Sequence, residues 1–135
     1  MKCCQIVAAV LMSSVLMIVG SSSAQEHSKD SLDLIKMNID SKKAVLVDVR
    51  ENNEWEAGHL ENAILLSLSK LKQGAELKSV LMNAEGKPIV YCHCRSGGRA
   101  LTAAEILRKQ GFEVRPLKQG FEELTKQGFP KATGQ

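Results

Sequence analysis

The stretch that most limits the choice of fold is Lys87-Pro88-Ile89-Val90-Tyr91-Cys92-His93-Cys94-Arg95-Ser96-Gly97-Gly98-Arg99, which runs on into Ala100-Leu101-Thr102-Ala103-Ala104-Glu105-Ile106-Leu107. Ile89, Val90 and Tyr91 make an apolar run rich in β-formers and predict a buried strand. Leu101, Ala104, Ile106 and Leu107 recur at helical spacing, and Gly111 supplies a helix stop. Strand and helix are joined by a short loop that opens on Cys94, contains Gly97 and Gly98, and carries Arg95 and Arg99 near its ends. Such a loop suits an anion. Glycines permit turns in which successive N–H groups point inward, and a helix N-terminus adds partial positive charge at the same place. A cysteine at the rim of this cradle, flanked by two arginines, is favoured as a reactive thiolate.

The flanking sequence repeats the strand-then-helix alternation. Ser31 can cap a helix whose apolar face carries Leu32, Ile35 and Ile39 and which ends around Asp40-Ser41. Ala44-Val45-Leu46-Val47-Asp48-Val49-Arg50 is a continuous apolar run closed by charges, the pattern of a strand buried on both faces. A short helix is predicted from Asn52 to Ala57, stopped by Gly58, and a short strand from Ala63 to Leu66. Ser67 to Asn83 has helical periodicity interrupted near Gly74. After the cysteine unit come a strand over Phe112–Leu117 and a closing helix over Phe121–Gln127. This order implies an α/β domain with a mainly parallel sheet, in which sites lie at the carboxyl ends of strands, where Cys94 falls.

The motifs resemble those of the rhodanese family of sulfurtransferases. Cys94-Arg95-Ser96-Gly97-Gly98-Arg99 after a hydrophobic strand is similar to its active-site loop. Val47-Asp48-Val49-Arg50-Glu51 with Glu54-Trp55 and Gly58-His59-Leu60 is similar to its upstream signature. Gly111-Phe112, Leu117, Gly120-Phe121 and Gly128-Phe129-Pro130 resemble its C-terminal markers. Glu61-Asn62 departs from the usual Pro-Gly, and Ala100 from the usual Ser or Thr. The resemblance covers nearly all of the chain beyond residue 24. It implies a three-layer domain with helices on both sides of the sheet, and a Cys94 that carries sulfane sulfur as a persulfide. The sulfur would come from an anionic donor such as thiosulfate and pass to a thiophilic acceptor, cyanide or a thiol, with no cofactor.

Residues 1–24 read as a separate segment. Lys2 gives a positive start, Ile6 to Val19 is mostly apolar, and Gly20-Ser21-Ser22-Ser23-Ala24 supplies small residues suited to cleavage. An export signal leaving a domain over 25–135 is expected, with an uncleaved anchor as the alternative; the apolar run is short for a membrane span. The product would be periplasmic in a bacterium and secreted elsewhere, free of the membrane after cleavage. Cys3 and Cys4 precede the apolar run, so they do not look like a lipid attachment site and leave with the signal. Cys92 and Cys94 remain, and a bridge between cysteines one residue apart would be strained and reducible. A net charge of +3 without a long basic run, and only three Phe, one Trp and one Tyr, speak against nucleic-acid binding. The length supports one domain, expected to act as a monomer.

Each candidate has a plainer alternative. Cys94 could be a buried structural thiol, but its strand-end place beside glycines and arginines favours catalysis. Cys92, inside the strand, reads as core packing, with a resolving thiol as the alternative. Arg95, Ser96, Gly97, Gly98 and Arg99 are assigned to binding the donor; Arg99 could instead pair with a carboxylate and hold the loop. Asp48 and Arg50 read as supports that pair with each other or with nearby backbone. His59 reads as structural rather than as a general base, which a thiolate does not need. His93 should face away from Cys94, and the histidines and cysteines show no zinc spacing. His93-Cys94 with Arg99 is also similar to the H-C-x5-R loop of cysteine phosphatases and arsenate reductases. Here, however, four residues separate Cys94 from Arg99, and a tighter loop suits a sulfur atom better than a phosphoryl group. A thiol redox role and a non-catalytic binding module are the remaining alternatives.

Overall fold

Parallel pairing of four short strands sets the architecture. The computed structural model describes residues 25–81 and 86–133. The segment expected to act as an export signal, with Cys3 and Cys4, and the end of the predicted helical stretch at Asn83, lie outside the described residues. In chain order the elements are α1 (Leu32–Asp40), β1 (Ala44–Asp48), α2 (Asn52–Ala57), β2 (Ala63–Leu65), α3 (Leu68–Lys72), α4 (Leu77–Val80), β3 (Ile89–His93), α5 (Gly98–Lys109), β4 (Val114–Pro116) and α6 (Phe121–Lys126). The sheet order is β2-β1-β3-β4, with every pair parallel. From β1 the chain goes outward to β2 and then returns across to β3, so the carboxyl ends of β1 and β3 form a topological switch point, where open α/β sheets place their sites.

Alternation along β3 divides its side chains between two cores. Val90, Cys92 and Cys94 join Val47, Val49, Leu71, Leu77, Ala103, Ala104 and Leu107 on the side covered by α3, α4 and α5. Tyr91 joins Leu46, Ile35, Leu60, Phe121, Leu124 and Phe129 on the side covered by α1 and α6. The result is the expected three-layer α/β domain. Ser31 caps α1 as expected, its Oγ accepting from the Leu34 N–H at 3.2 Å.

Observed strands are shorter than the apolar runs that predict them. β1 stops at Asp48 because the Asp48 carboxylate turns onto the Arg50 N–H at 3.0 Å, while the Val49 N–H still reaches the His93 carbonyl at 3.0 Å. β2 ends at Leu65, and the Leu66 N–H still donates to the Asp48 carbonyl at 3.0 Å. β4 covers only the middle of its predicted run, though Leu117 still donates to the Cys92 carbonyl at 2.8 Å. The helical run after Ser67 becomes two helices because Gly74 adopts φ +96°, which ends α3. At Glu61-Asn62 the turn forms without Pro-Gly, held by the Glu61 N–H on the Pro130 carbonyl at 2.9 Å.

Candidate active site

Cys94 leaves β3 at the switch point, and its Sγ accepts a hydrogen bond from the Gly97 N–H at 3.1 Å. Gly97 takes φ +94°, the left-handed conformation that turns this N–H back toward the sulfur. Gly98 opens α5, whose first N–H groups have no partner within the helix and carry its positive end. One backbone N–H of the loop therefore faces the sulfur, next to the start of α5. One expectation is corrected. Cys94 stands beneath the loop rather than at its rim, with 1% of its surface exposed. The reason is the β-alternation itself, which sends residue 94 to the same face as 90 and 92, under α5.

The loop is braced from below and from the side. The Cys94 carbonyl accepts from the Phe121 N–H at 3.0 Å, which ties the loop to the start of α6. Gly120 makes that approach possible, because a Cβ there would run into the carbonyl group of Arg95. On the other flank Arg99 makes a two-pronged ion pair with Glu54, at 2.6 and 2.8 Å. The arginine holds the Glu54 carboxyl down to about 2, against the opposing effect of burial. Glu54 also accepts from the Glu51 N–H at 3.0 Å, and Glu51 accepts from the Ser69 hydroxyl at 2.7 Å. A chain of contacts thus runs from α5 through the start of α2 to α3.

Of the residues assigned to donor binding, Arg99 is accordingly engaged with a carboxylate, the second of its two readings. Arg95 and Ser96 are exposed and line a groove with Lys118 and Lys126. Asp48 and Arg50 pair in the interior, with Arg50 Nη2 to Asp48 Oδ2 at 2.7 Å. Arg50 also donates to the Gly58 carbonyl at 2.8 Å and stacks its guanidinium on Phe121, 4.4 Å from the ring centre. Stranding one partner of such a buried pair costs about 3–5 kcal/mol. His59 donates from Nδ1 to the Trp55 carbonyl at 3.0 Å and lies flat on the Trp55 indole, 3.7 Å between centres. These contacts join Asp48, Arg50 and His59 to neighbouring backbone and rings.

The two remaining strand residues separate as their positions predict. Cys92 is fully buried, and its thiol faces the Ala100 carbonyl at 3.4 Å. Burial, reinforced by the neighbouring Cys94, pushes it up to about 12. His93 points to the opposite core, and burial lowers its basicity despite Asp48 nearby. Its Nε2 has no hydrogen-bond partner among the described residues.

Three comparisons bear on this arrangement. The rhodanese-like domain family matches residues 31–127. The chain belongs to the rhodanese-like family. Protein YqhL of Bacillus subtilis is 34% identical over 119 residues, covering 87% of this chain and 89% of that one. The thiosulfate sulfurtransferase GlpE of Coxiella burnetii is 35% identical over 79 residues, 58% of this chain and 68% of that one. Among solved structures, a rhodanese-related protein from Thermoplasma volcanium superimposes with a TM-score of 0.60 at 27% identity, covering 79% of this chain and 98% of that one. Within this rhodanese-like domain, sequence reasoning passed over Ser69, and quoted Glu51 and Glu54 without giving either a task. The signal was available, since acidic residues three apart at a helix start form a reciprocal cap.

Proposed function

We propose that this rhodanese-like protein is a thiosulfate-type sulfurtransferase working through Cys94. The observation that carries the reading is the Gly97 N–H directed at Cys94 Sγ at 3.1 Å, in a loop opening onto the N-terminus of α5. The Cys94 thiolate attacks the outer sulfur of thiosulfate. A new S–S bond forms to Cys94, the donor's S–S bond breaks, and its electron pair leaves with sulfite. Loop N–H groups hold the negative charge of the resulting persulfide. Cyanide or a thiolate then attacks the outer sulfur, and the bond's electron pair returns to Cys94. No proton needs to be removed by a base, consistent with the structural contacts of His59. Backbone N–H groups and the exposed Arg95 are left to meet the donor, because Arg99 is held by Glu54.

The same ion pair weighs against a phosphatase. An arginine that grips a phosphoryl group through two donors would have to abandon Glu54. The Cys92 thiol, held on the Ala100 carbonyl and pushed up to about 12, likewise weighs against disulfide-based redox turnover. The test is to incubate the protein with thiosulfate and follow intact mass and then thiocyanate on adding cyanide. A gain of one sulfur atom, removed by cyanide and lost in Cys94→Ser, is expected. No added sulfur from thiosulfate or mercaptopyruvate, with turnover of a phosphate ester instead, would overturn the reading.

Export belongs to the same proposal. Lys2, the apolar run from Ile6 to Val19 and the small residues before Gln25 support a signal cleaved after Ala24. N-terminal sequencing of the protein recovered from its producing cells should begin at Gln25; a start at Met1 in a membrane fraction would replace the signal with an anchor.

A further inference from the structure

The segment before α1 is laid across the back of the active-site loop. Gln25 Nε2 donates to Glu105 on α5 at 2.8 Å. The Ser28 N–H donates to the Pro116 carbonyl at the end of β4 at 2.7 Å. Asp30 accepts from the Tyr91 hydroxyl and from Arg115, both at 2.7 Å. Between these anchors the half-buried His27 places Nε2 3.1 Å from the Gly97 carbonyl oxygen. A carbonyl only accepts, so this contact is a hydrogen bond donated by an Nε2–H imidazole.

The Gly97 carbonyl has a second donor, the Leu101 N–H at 3.2 Å. Both donors fix the plane of the peptide joining Gly97 to Gly98. In a trans peptide the C=O and N–H point in opposite directions. With the carbonyl turned along α5 toward Leu101 and His27, the Gly98 N–H projects off the helix start, the end at which first-turn N–H groups have no partner within the helix. Glycine on both sides of this peptide leaves no side chain to resist its rotation. The site of contact is also crowded: a Cβ on Gly97 would stand 2.7 Å from His27 Nε2.

We infer that His27 is a positioning residue for sulfur transfer, which locks the Gly97–Gly98 peptide so that its N–H faces the anion bound above Cys94. The inference rests on the sulfur-transfer reading for its consequence in catalysis, and on geometry alone for its consequence in the loop. His27 touches neither donor nor sulfur; it acts through one carbonyl.

The experiment compares wild type with His27→Ala, His27→Gln and, as a control on the same segment, Lys29→Ala, whose ammonium meets only the exposed Glu26 at 3.7 Å among the described residues. His27→Gln retains an N–H donor at the end of a side chain of similar reach. Sulfur loading from thiosulfate is followed by intact mass, and amide hydrogen exchange is followed residue by residue. In His27→Ala, loading should slow about tenfold through kcat, with KM within about twofold, the scale of one lost hydrogen bond. Exchange should quicken at Gly97 and Leu101 but not at Val90 or Cys92 in β3. Glutamine should restore most of both, and Lys29→Ala should match wild type. Unchanged exchange at Leu101, faster exchange spread evenly over β3 and α5, or failure of glutamine to rescue would each overturn the role of His27. If wild type itself takes no sulfur from thiosulfate, the functional reading fails, and the exchange results still decide whether His27 holds the peptide.

Discussion

Cys92 and Cys94 share a face of the same strand line and are almost equally hidden from solvent, yet their surroundings are opposite in character. Cys92 lies where the sheet is continuous. Its backbone is committed to ladders on both sides, and its thiol faces a carbonyl oxygen, a partner that favours the protonated form. Cys94 lies one step past the last pairing, where the backbone has turned and an N–H faces the sulfur. Burial by itself therefore does not separate an inert thiol from a candidate nucleophile. What separates them is the sign of the nearest backbone dipole, which depends on whether the strand has ended.

The comparison would break most completely if the sulfur were carried at the wrong position. Replacing Cys94 with Ser should abolish sulfur loading, a loss of about a thousandfold or more where one group is the sole nucleophile, with an unchanged far-ultraviolet circular dichroism spectrum. Intact mass after thiosulfate treatment checks this directly. Next in size is Gly120→Ala, which forces a methyl group into the Arg95 carbonyl and pushes α6 off the loop. A loss of about 2–3 kcal/mol in urea unfolding is expected, the range for overpacking a rigid contact, with impaired sulfur loading.

A smaller effect is expected from Glu54→Gln, which releases Arg99 and separates the loop from α2. Because the folded Glu54 carboxyl is held below its usual range, its contribution is present above pH 4.5 and fades as pH falls toward about 2. The difference in thermal midpoint between wild type and Glu54→Gln should therefore shrink on acidification through that window; a constant difference would show that the pair does not carry it. The smallest effect should come from Cys92→Ser, in which a hydroxyl can keep the contact with the Ala100 carbonyl. Loading should stay within about twofold of wild type, with stability lower by about 1 kcal/mol, the scale of one altered buried group. A large loss of turnover with the fold intact would make Cys92 a partner in the chemistry and erase the distinction between the two thiols.

How much of this was legible in the sequence follows the range of the interactions involved. Strand and helix periodicity located every described element, since it depends only on neighbours a few residues away. Strand ends were overrun at Val49-Arg50 and at Phe112 because apolar character continues past the point where pairing stops. The Asp48–Arg50 pair was foreseeable from its spacing of two along a strand end. The contacts Arg99 to Glu54 and His27 to Gly97 span long stretches of chain and join residues with no periodic relation. For Arg99 two partners were chemically reasonable, an anion and a carboxylate, and only the fold brings the carboxylate within reach. The depth of Cys94 was missed for a related reason: the loop motif suggests an open cradle, whereas the position of α5 above residue 94 is a matter of packing.

The sheet order also dictates when the site can come into being. Every strand pair is parallel, so none closes as a hairpin, and each pairing must wait for an intervening crossover to be made. As the chain is synthesised from its N-terminus, β1 and β2 emerge first and Cys94 arrives with its loop still unsupported. Until β4 and Phe121 have followed, the Cys94 carbonyl lacks its partner on α6, and the segment around Ser28 has no strand end to lie against. A chain halted before about residue 120 would therefore hold the complete cysteine motif without the geometry that organises it. Assembly of the loop is coupled to the elements that follow it along the chain, so a product halted before them carries the cysteine motif in sequence only.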